Sequence, residues 1–376
     1  MPRVNVRLQA HSYPVVIGAD NTGQLNRLLL KFLGSDRLFL FYDAGFYALH
    51  GPALRSRLNL SDKCVTEMVI PSSEKSKSQA ILKRIYDFLI CNRISRTDLI
   101  LACGGGVTTD LVGYAAATTL RGIRWAAVPT TLVGMVDAAI GGKTGINHPQ
   151  GKNLIGAFWQ PIFVHEDVTF IQTLTFRQMV AGLGEILKYC GLIGAAMIAP
   201  FSVFLGQDDL YRQKDLVALI RLSVRYKASI VERDERDSSV RMLLNFGHTF
   251  AHAIERTLGY GRLLHGETVI LGILAALELG DLRRAGTVRG LAGYRKIVER
   301  SVAFVPRRRI NVTSVLDAIA QDKKRRGTDQ KYVLLARPGK PFIAGSIDRR
   351  LVRKALERML IFYKGHGGTN AHHPDR

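Results

Sequence analysis

Three of the chain's ten histidines, His248, His252 and His265, fall within eighteen positions. His248 and His252 are four apart, so on a helix both rings leave the same face. His265 follows the Gly259-Tyr260-Gly261 break, which lets the chain turn back before another helix starts. Neutral imidazoles gathered in this way bind a divalent cation, and a carboxylate is the usual third ligand. Glu185 supplies one: it sits in the otherwise apolar helical stretch Ala181–Tyr189, with Lys188 on the same face. With His248 and His265 it would make a His₂Glu site with an open position, as a catalytic metal requires. A surface Glu–Lys ion pair and separately placed histidines are the plainer reading of the same residues. Thr249 stands where a zinc protease carries Glu after its first His, which excludes that class.

Two glycine-rich segments add a demand for anions. Gly104-Gly105-Gly106 follows the apolar run Asp98–Cys103 and precedes a helix expected from about Asp110. A backbone without side chains there can approach a pyrophosphate, whose charge the helix N-terminus favours. The Gly-x-Gly-x-x-Gly spacing is absent. The second segment, Val136–Asn153, carries Asp137, Gly141-Gly142-Lys143 and Gly151-Lys152-Asn153. Its lysines and asparagine suit an anion, and its spacing does not fit a P-loop.

These residues need a frame. Short apolar runs such as Arg37–Asp43, Asp98–Cys103 and Trp125–Thr131 alternate with an amphipathic helix over Lys75–Cys91, the pattern of a dinucleotide-binding α/β domain. After about Thr169 the periodicity turns helical: Gln178–Ile198, Gln213–Glu232, Thr249–Leu258, Glu267–Arg284 and Ile347–Tyr363. The expected fold is therefore α/β plus α. A Rossmann-like domain spans 1–169, a mostly α-helical domain 170–364, and an unfolded tail 365–376. A chain of 376 residues with 47% hydrophobic and 22% charged residues is long enough for both cores. No apolar run reaches membrane-spanning length and the first residues alternate like a strand, so a cytoplasmic protein without a signal peptide is expected. Cys64, Cys91, Cys103 and Cys190 are far apart and read as free thiols. The formal charge is +22, with 22 Lys and Arg against 6 Asp and Glu between Arg283 and Lys364. The basic runs lack interleaved aromatic residues, which favours a solvated basic face and an anionic small-molecule site over nucleic acid.

Taken together, the Gly141–Asn153 loop, Gly182–Tyr189, Asn245–Glu255 and Leu264–Glu267 resemble the 3-dehydroquinate synthases of the sugar-phosphate cyclase group. The resemblance runs from about Asp98 to Lys324. It implies NAD, a divalent metal (zinc or cobalt), a homodimer and the phosphorus–oxygen lyase step of the shikimate pathway. In that step 3-deoxy-arabino-heptulosonate 7-phosphate becomes 3-dehydroquinate and phosphate through transient oxidation, phosphate loss, re-reduction, ring opening and aldol closure. The alternatives in that group are valiolone and scyllo-inosose cyclases; the valiolone enzymes replace the second His of the His-x-x-x-His pair and alter the Gly-Gly-Lys loop, whereas His252 and Gly142-Lys143 stand here. A polyol dehydrogenase would need fewer cations.

The resemblance also implies roles. Glu185, His248 and His265 hold the metal. Lys143, Asn153, Asn245, His252 and one of Lys323 and Lys324 surround the substrate phosphate, with Arg121 supplied by a partner subunit. Lys152, Lys188, Lys227 and Arg241 bind the carboxylate and hydroxyls, and Asp137 lies near the hydride-transfer centre. For NAD, Asp43, Glu74, Lys77, Gly105, Gly106, Asp110, Thr130, Thr131 and Thr173 are expected contacts, together with Asp137, Lys143 and Lys152. The chain departs from the family pattern at Ala44-Gly45, Thr109, Ala139 and Thr175.

Overall fold

The computed structural model describes residues 3–9, 11–33, 36–283, 288–326 and 330–366; the side chains of 284–289 and 322–329 lie outside the described residues. The chain divides into two compact units, Met1–Leu174 with Tyr211–Arg236, and Thr175–Leu210 with Asp237–Arg376.

The first unit contains β1 (Arg3–Val6), β2 (Tyr13–Gly18), α1 (Thr22–Leu33), β3 (Leu38–Asp43), α2 (Ala44–Arg57), β4 (Val65–Ile70), α3 (Gln79–Cys91), β5 (Leu99–Gly104), α4 (Gly106–Thr118), β6 (Arg124–Pro129), β7 (Lys143–His148), β8 (Gly151–Phe158) and β9 (Val164–Asp167). Seven strands form one sheet in the order β1-β2-β9-β6-β5-β3-β4. Only the β1–β2 pairing is antiparallel. β3 and β5 are buried along nearly their whole length, as a parallel sheet covered on both faces requires. On one face Leu25, Leu29, Phe46 and Leu54 from α1 and α2 pack on Leu40, Leu101 and Val128. On the other, Phe88 of α3 meets Phe39 and Phe41 edge-on.

The chain leaves β3 for β4 on one side and returns to β5 on the other, so a crevice opens at their carboxyl ends, Asp43 and Gly104. A Cβ on Gly104 would stand 2.9 Å from that of Asp43, which is why glycine ends this strand. Helix α4 starts at Gly106, four residues before the expected Asp110, with Gly105 as its N-cap. The Val136–Asn153 segment is more regular than a loop. A π-helical turn over Gly134–Ala138 leads into the β7–β8 hairpin.

The remaining helices in chain order are α5 (Phe176–Ile193), α6 (Ala195–Leu205), α7 (Gln213–Arg233), α8 (His248–Leu258), α9 (His265–Leu282), α10 (Val288–Val302), α11 (Val312–Arg326) and α12 (Arg349–His366). Of these, α7 belongs to the first unit, although it follows the boundary placed near residue 170. In the second unit α9 is buried on nearly every side, as its apolar sequence demands, and packs against α5, α8, α10 and α12. The expected helix Gln178–Ile198 is broken at Gly194 (φ +88°), which separates α5 from α6. Helices α10 and α11 and the hairpin β10 (Tyr332–Arg337) with β11 (Lys340–Ala344) were not anticipated. Helix α12 runs through His366, so the expected tail's first two residues are helical, and 367–376 lie outside the described residues.

Candidate functional site

In the second unit, α5, α8 and α9 each bring one expected metal ligand to the same place. Thr175 and Gln178 form a reciprocal capping box that starts α5, so the departure at Thr175 supplies the helix's N-cap. Further along α5, Glu185 is fully buried. Its Oε1 lies 3.5 Å from His248 Nε2 and 3.2 Å from His265 Nε2. The far nitrogen of each ring is committed: His248 Nδ1 faces the Phe246 carbonyl at 3.2 Å, and His265 Nδ1 faces Glu255 Oε2 at 3.2 Å. Both rings therefore turn Nε2 toward Glu185. Two imidazole nitrogens and a carboxylate oxygen this close need a positive charge among them. Burial opposes the charge on Glu185, but the Lys188 ammonium 2.7 Å away and His248 hold its carboxyl well below the usual range. Burial would lower His265, yet Glu185 and Glu255 together raise it to about 10.

His252 is exposed, but its ring centre lies 5.4 Å from that of His248 and 5.7 Å from that of His265. Donor atoms of all three histidines lie within 4.8 Å of one another, so geometry alone offers His252 as a further ligand. Glu255, which fixes His265, was not expected. Its position seven after His248 puts it on the same face of α8, and that spacing was its signal.

Close helix contact holds the site together. A Cβ on Gly184, beside Glu185, would stand 2.2 Å from the Gly266 carbonyl oxygen, and one on Gly266 would stand 1.7 Å from the Ala181 carbonyl oxygen. Arg177 forks the buried Glu267 carboxylate at 2.8 and 2.7 Å, and Glu267 accepts the Leu264 N–H at 2.6 Å. That pair fixes the turn from which His265 leaves. Arg241 is buried in the 3₁₀ turn Val240–Asn245, and Asn245 is half-buried at its end. The side chains of Lys323 and Lys324 lie outside the described residues.

In the first unit a second polar cluster joins residues expected at NAD and at the substrate. Buried Lys77 donates to Asp110 Oδ2 at 2.6 Å and to Asn153 Oδ1 at 2.5 Å. Burial pushes the Asp110 carboxyl upward while Lys77 opposes it. Asn147 bonds to Glu74 Oε1 at 2.7 Å and accepts the Asn153 N–H, while Lys152 Nζ lies 4.0 Å from Glu74. Asn147 was not among the expected site residues. Lys227 of α7 donates to the Asp137 carbonyl at 2.6 Å and to its carboxylate at 2.9 Å, fixing the π-helical turn. Lys143 opens β7 and is exposed.

At the carboxyl ends of the strands, the Thr130 N–H donates to the Gly104 carbonyl. A Cβ on Gly105 would press on Thr131 at 3.1 Å, and one on Gly106 on Ala138 at 3.0 Å. Thr109 does not project from this cradle: it is buried, and its hydroxyl reaches back to the Gly105 and Gly106 carbonyls. Asp43 accepts the Phe46 N–H and the Ser72 hydroxyl, so α2 uses its carboxylate as a cap. Thr173 is bonded to His50 and to the Phe170 carbonyl. Arg121 is exposed in a turn where it and Leu120 have positive φ, 65° and 49°.

Comparison with known proteins identifies the family. Family models described as 3-dehydroquinate synthase N-terminal and 3-dehydroquinate synthase C-terminal match residues 67–181 and 182–325. A 3-dehydroquinate synthase of Paracoccus denitrificans is 39% identical over 365 residues, covering 94% of this chain and 98% of the relative. One of Psychrobacter cryohalolentis is 36% identical, covering 94% and 96%. Among solved structures, a 2-epi-5-epi-valiolone synthase from Streptomyces hygroscopicus subsp. jinggangensis with bound NAD+ and Zn2+ superposes with a TM-score of 0.82 at 28% identity, covering 94% and 98%. A 2-deoxy-scyllo-inosose synthase complexed with carbaglucose-6-phosphate, NAD+ and Co2+ shares the fold, with a TM-score of 0.82, 19% identity and coverage of 95% and 99%. The chain belongs to the 3-dehydroquinate synthase family.

Proposed function

We propose that the protein is a 3-dehydroquinate synthase that releases phosphate from 3-deoxy-arabino-heptulosonate 7-phosphate and forms the carbocycle. The observation that carries this reading is the buried Glu185 carboxylate, held by Lys188 and faced by two oriented imidazole nitrogens, in a chain of this family. The donor set fits a divalent cation: one carboxylate and two Nε2 atoms, each ring anchored through its other nitrogen. The glycines at the β5–α4 turn fit a pyrophosphate, since Gly105 and Gly106 put a bare backbone at the N-terminus of α4. When bound, NAD supplies transient oxidation and re-reduction at one substrate carbon, and the cation supplies Lewis acidity toward its hydroxyl groups.

The chain's own residues do the rest. Glu185, His248 and His265 are the ligands, and Glu255 sets the His265 ring. Lys188, charged and buried beside Glu185, is placed to bind a substrate oxygen. Lys227 holds Asp137, so the carboxylate next to the reacting hydroxyl keeps one position. Asn153, Lys143, His252 and Asn245 supply donors for the phosphate, and Lys152 and Arg241 for the carboxylate and hydroxyls. Lys77 ties Asp110 on the cofactor side to Asn153 on the phosphate side. We also assign a homodimer, supported by the exposed apolar Leu154 and Phe158 on β8 and by the outward turn that carries Arg121. Four free cysteines accord with a cytoplasmic enzyme, and no described helix is long and apolar enough to cross a membrane.

The test is turnover of the heptulosonate phosphate with catalytic NAD and Zn2+ or Co2+. Release of one phosphate per dehydroquinate without net NADH is expected. Stoichiometric NADH, or no product, would refute the assignment.

A further inference from the structure

The β7–β8 hairpin carries a polar side chain that none of the roles above accounts for. Its ladder runs regularly from Lys143 opposite Phe158 to Ile146 opposite Ile155, and resumes at His148 opposite Gly151. Between those pairs one residue of β7, Asn147, faces Lys152, Asn153 and Leu154 of β8. Such a mismatch is a bulge, which bends its strand and re-aims the side chains on it. Asn153 takes up the excess length in the left-handed region, at φ +55°. That conformation costs free energy for a residue with a Cβ and persists where neighbours hold it.

Lys77 holds the Asn153 side chain, and Asn147 holds its backbone. The Asn147 N–H leaves the ladder for the Lys77 carbonyl at 2.7 Å. Its Oδ1 accepts the Asn153 N–H at 3.0 Å, where a regular antiparallel ladder would offer a main-chain carbonyl. Its Nδ2 donates to the Glu74 carboxylate at 2.7 Å, so the hairpin grips the 3₁₀ turn Glu74–Ser76. An aspartate here would lose the donor and an alanine both groups, so the two tasks call for an amide. Asn153 Oδ1 accepts from Lys77, which leaves the Asn153 Nδ2 as its donor toward substrate. One side chain thus stands behind Glu74, expected at NAD, and behind the bulge that aims Lys152 and Asn153.

We propose that Asn147 is a positioning residue for cofactor and substrate together, touching neither. This rests on the roles given above to Glu74, Lys152 and Asn153. Asn147→Ala removes both side-chain bonds, whereas Asn147→Asp keeps the acceptor for Asn153 and sets a second carboxylate against Glu74. NADH binding to the full-length protein without substrate, followed by fluorescence, reads the first task. The KM for the heptulosonate phosphate reads the second. Loss of a bond to a charged group should raise the NADH dissociation constant about tenfold in both variants. KM should rise about tenfold in Asn147→Ala and stay within about twofold of wild type in Asn147→Asp. In both, kcat should stay within about twofold. A merely structural role would lower the unfolding temperature and leave both constants of the folded protein unchanged, which would overturn the proposal. A KM as high in Asn147→Asp as in Asn147→Ala would overturn it too. A wild type that binds NADH without turnover would refute the proposed reaction, and the NADH constants would still decide the role of Asn147.

Discussion

Replacing Glu166 with Met should stabilise the first unit, and the gain should grow with pH. Glu166 lies in β9 and is fully buried beside Ile17 of β2. Its backbone carbonyl accepts from Asn21, but neither carboxyl oxygen has a hydrogen-bond partner among the described residues. Burial pushes its carboxyl well above the usual range. An unbonded buried polar group costs about 1–3 kcal/mol even when neutral, and Met replaces it at similar volume. The sign of the pH effect follows from the raised folded-state pKa. The neutral carboxyl's share of stability is complete below the unfolded value, about 4.3, and is lost as pH rises toward the folded value. Over that window the wild type loses about 1.4 kcal/mol per pH unit that the Met variant does not. Both tryptophans, Trp125 and Trp159, belong to the first unit, so urea unfolding followed by tryptophan fluorescence at pH 5, 6, 7 and 8 reports on the right part of the chain. A gap of about 1–3 kcal/mol near pH 4–5, widening by about 1.4 kcal/mol per unit, is expected. A pH-independent difference, or a less stable variant, would show that the carboxyl is ionised and satisfied, and the reasoning would fail.

Three further changes probe the site's supports. Gly266→Ala places a Cβ 1.7 Å from a backbone oxygen that no side-chain motion can relieve, so a loss of more than about 4 kcal/mol and rapid proteolysis of the second unit are expected. Arg177→Met strands the buried Glu267 carboxylate. Because Arg177 is partly exposed, the loss should be about 2–3 kcal/mol by chemical denaturation, with weaker zinc retention on dialysis. Lys77→Met should raise the NAD dissociation constant and the substrate KM together by about tenfold, with an unchanged circular dichroism spectrum; a change in only one would separate the two roles.

The gathering of Glu185, His248 and His265 was partly legible in the sequence: Glu185 is a carboxylate on an apolar helix face and His248 lies four before His252, but His265 stands beyond a glycine break, and the packing of α8 on α9 brings it in. Glu255 obeyed the same spacing rule but has the composition of an ordinary surface residue. The break at Gly194 was hidden because apolar periodicity continues through it into α6. Helix α7 was grouped by its helical periodicity, which reports only what kind of element a segment forms. Its membership follows from Lys227 reaching Asp137, a contact ninety residues away in sequence. Asn147 and Asn153 read as two polar residues of one loop, and only hairpin pairing shows that they share a bond.

The contact between Gly184 and Gly266 makes the spacing of Glu185 and His265 a property of two main chains. Rotamer freedom cannot blur a separation fixed by carbonyl oxygens against Cα atoms, so most of the ordering needed to grip an ion is completed when the helices pack. The site should accept zinc or cobalt with little rearrangement of the polypeptide. Moving it to another scaffold would require transplanting a helix crossing; copying three side chains would not suffice.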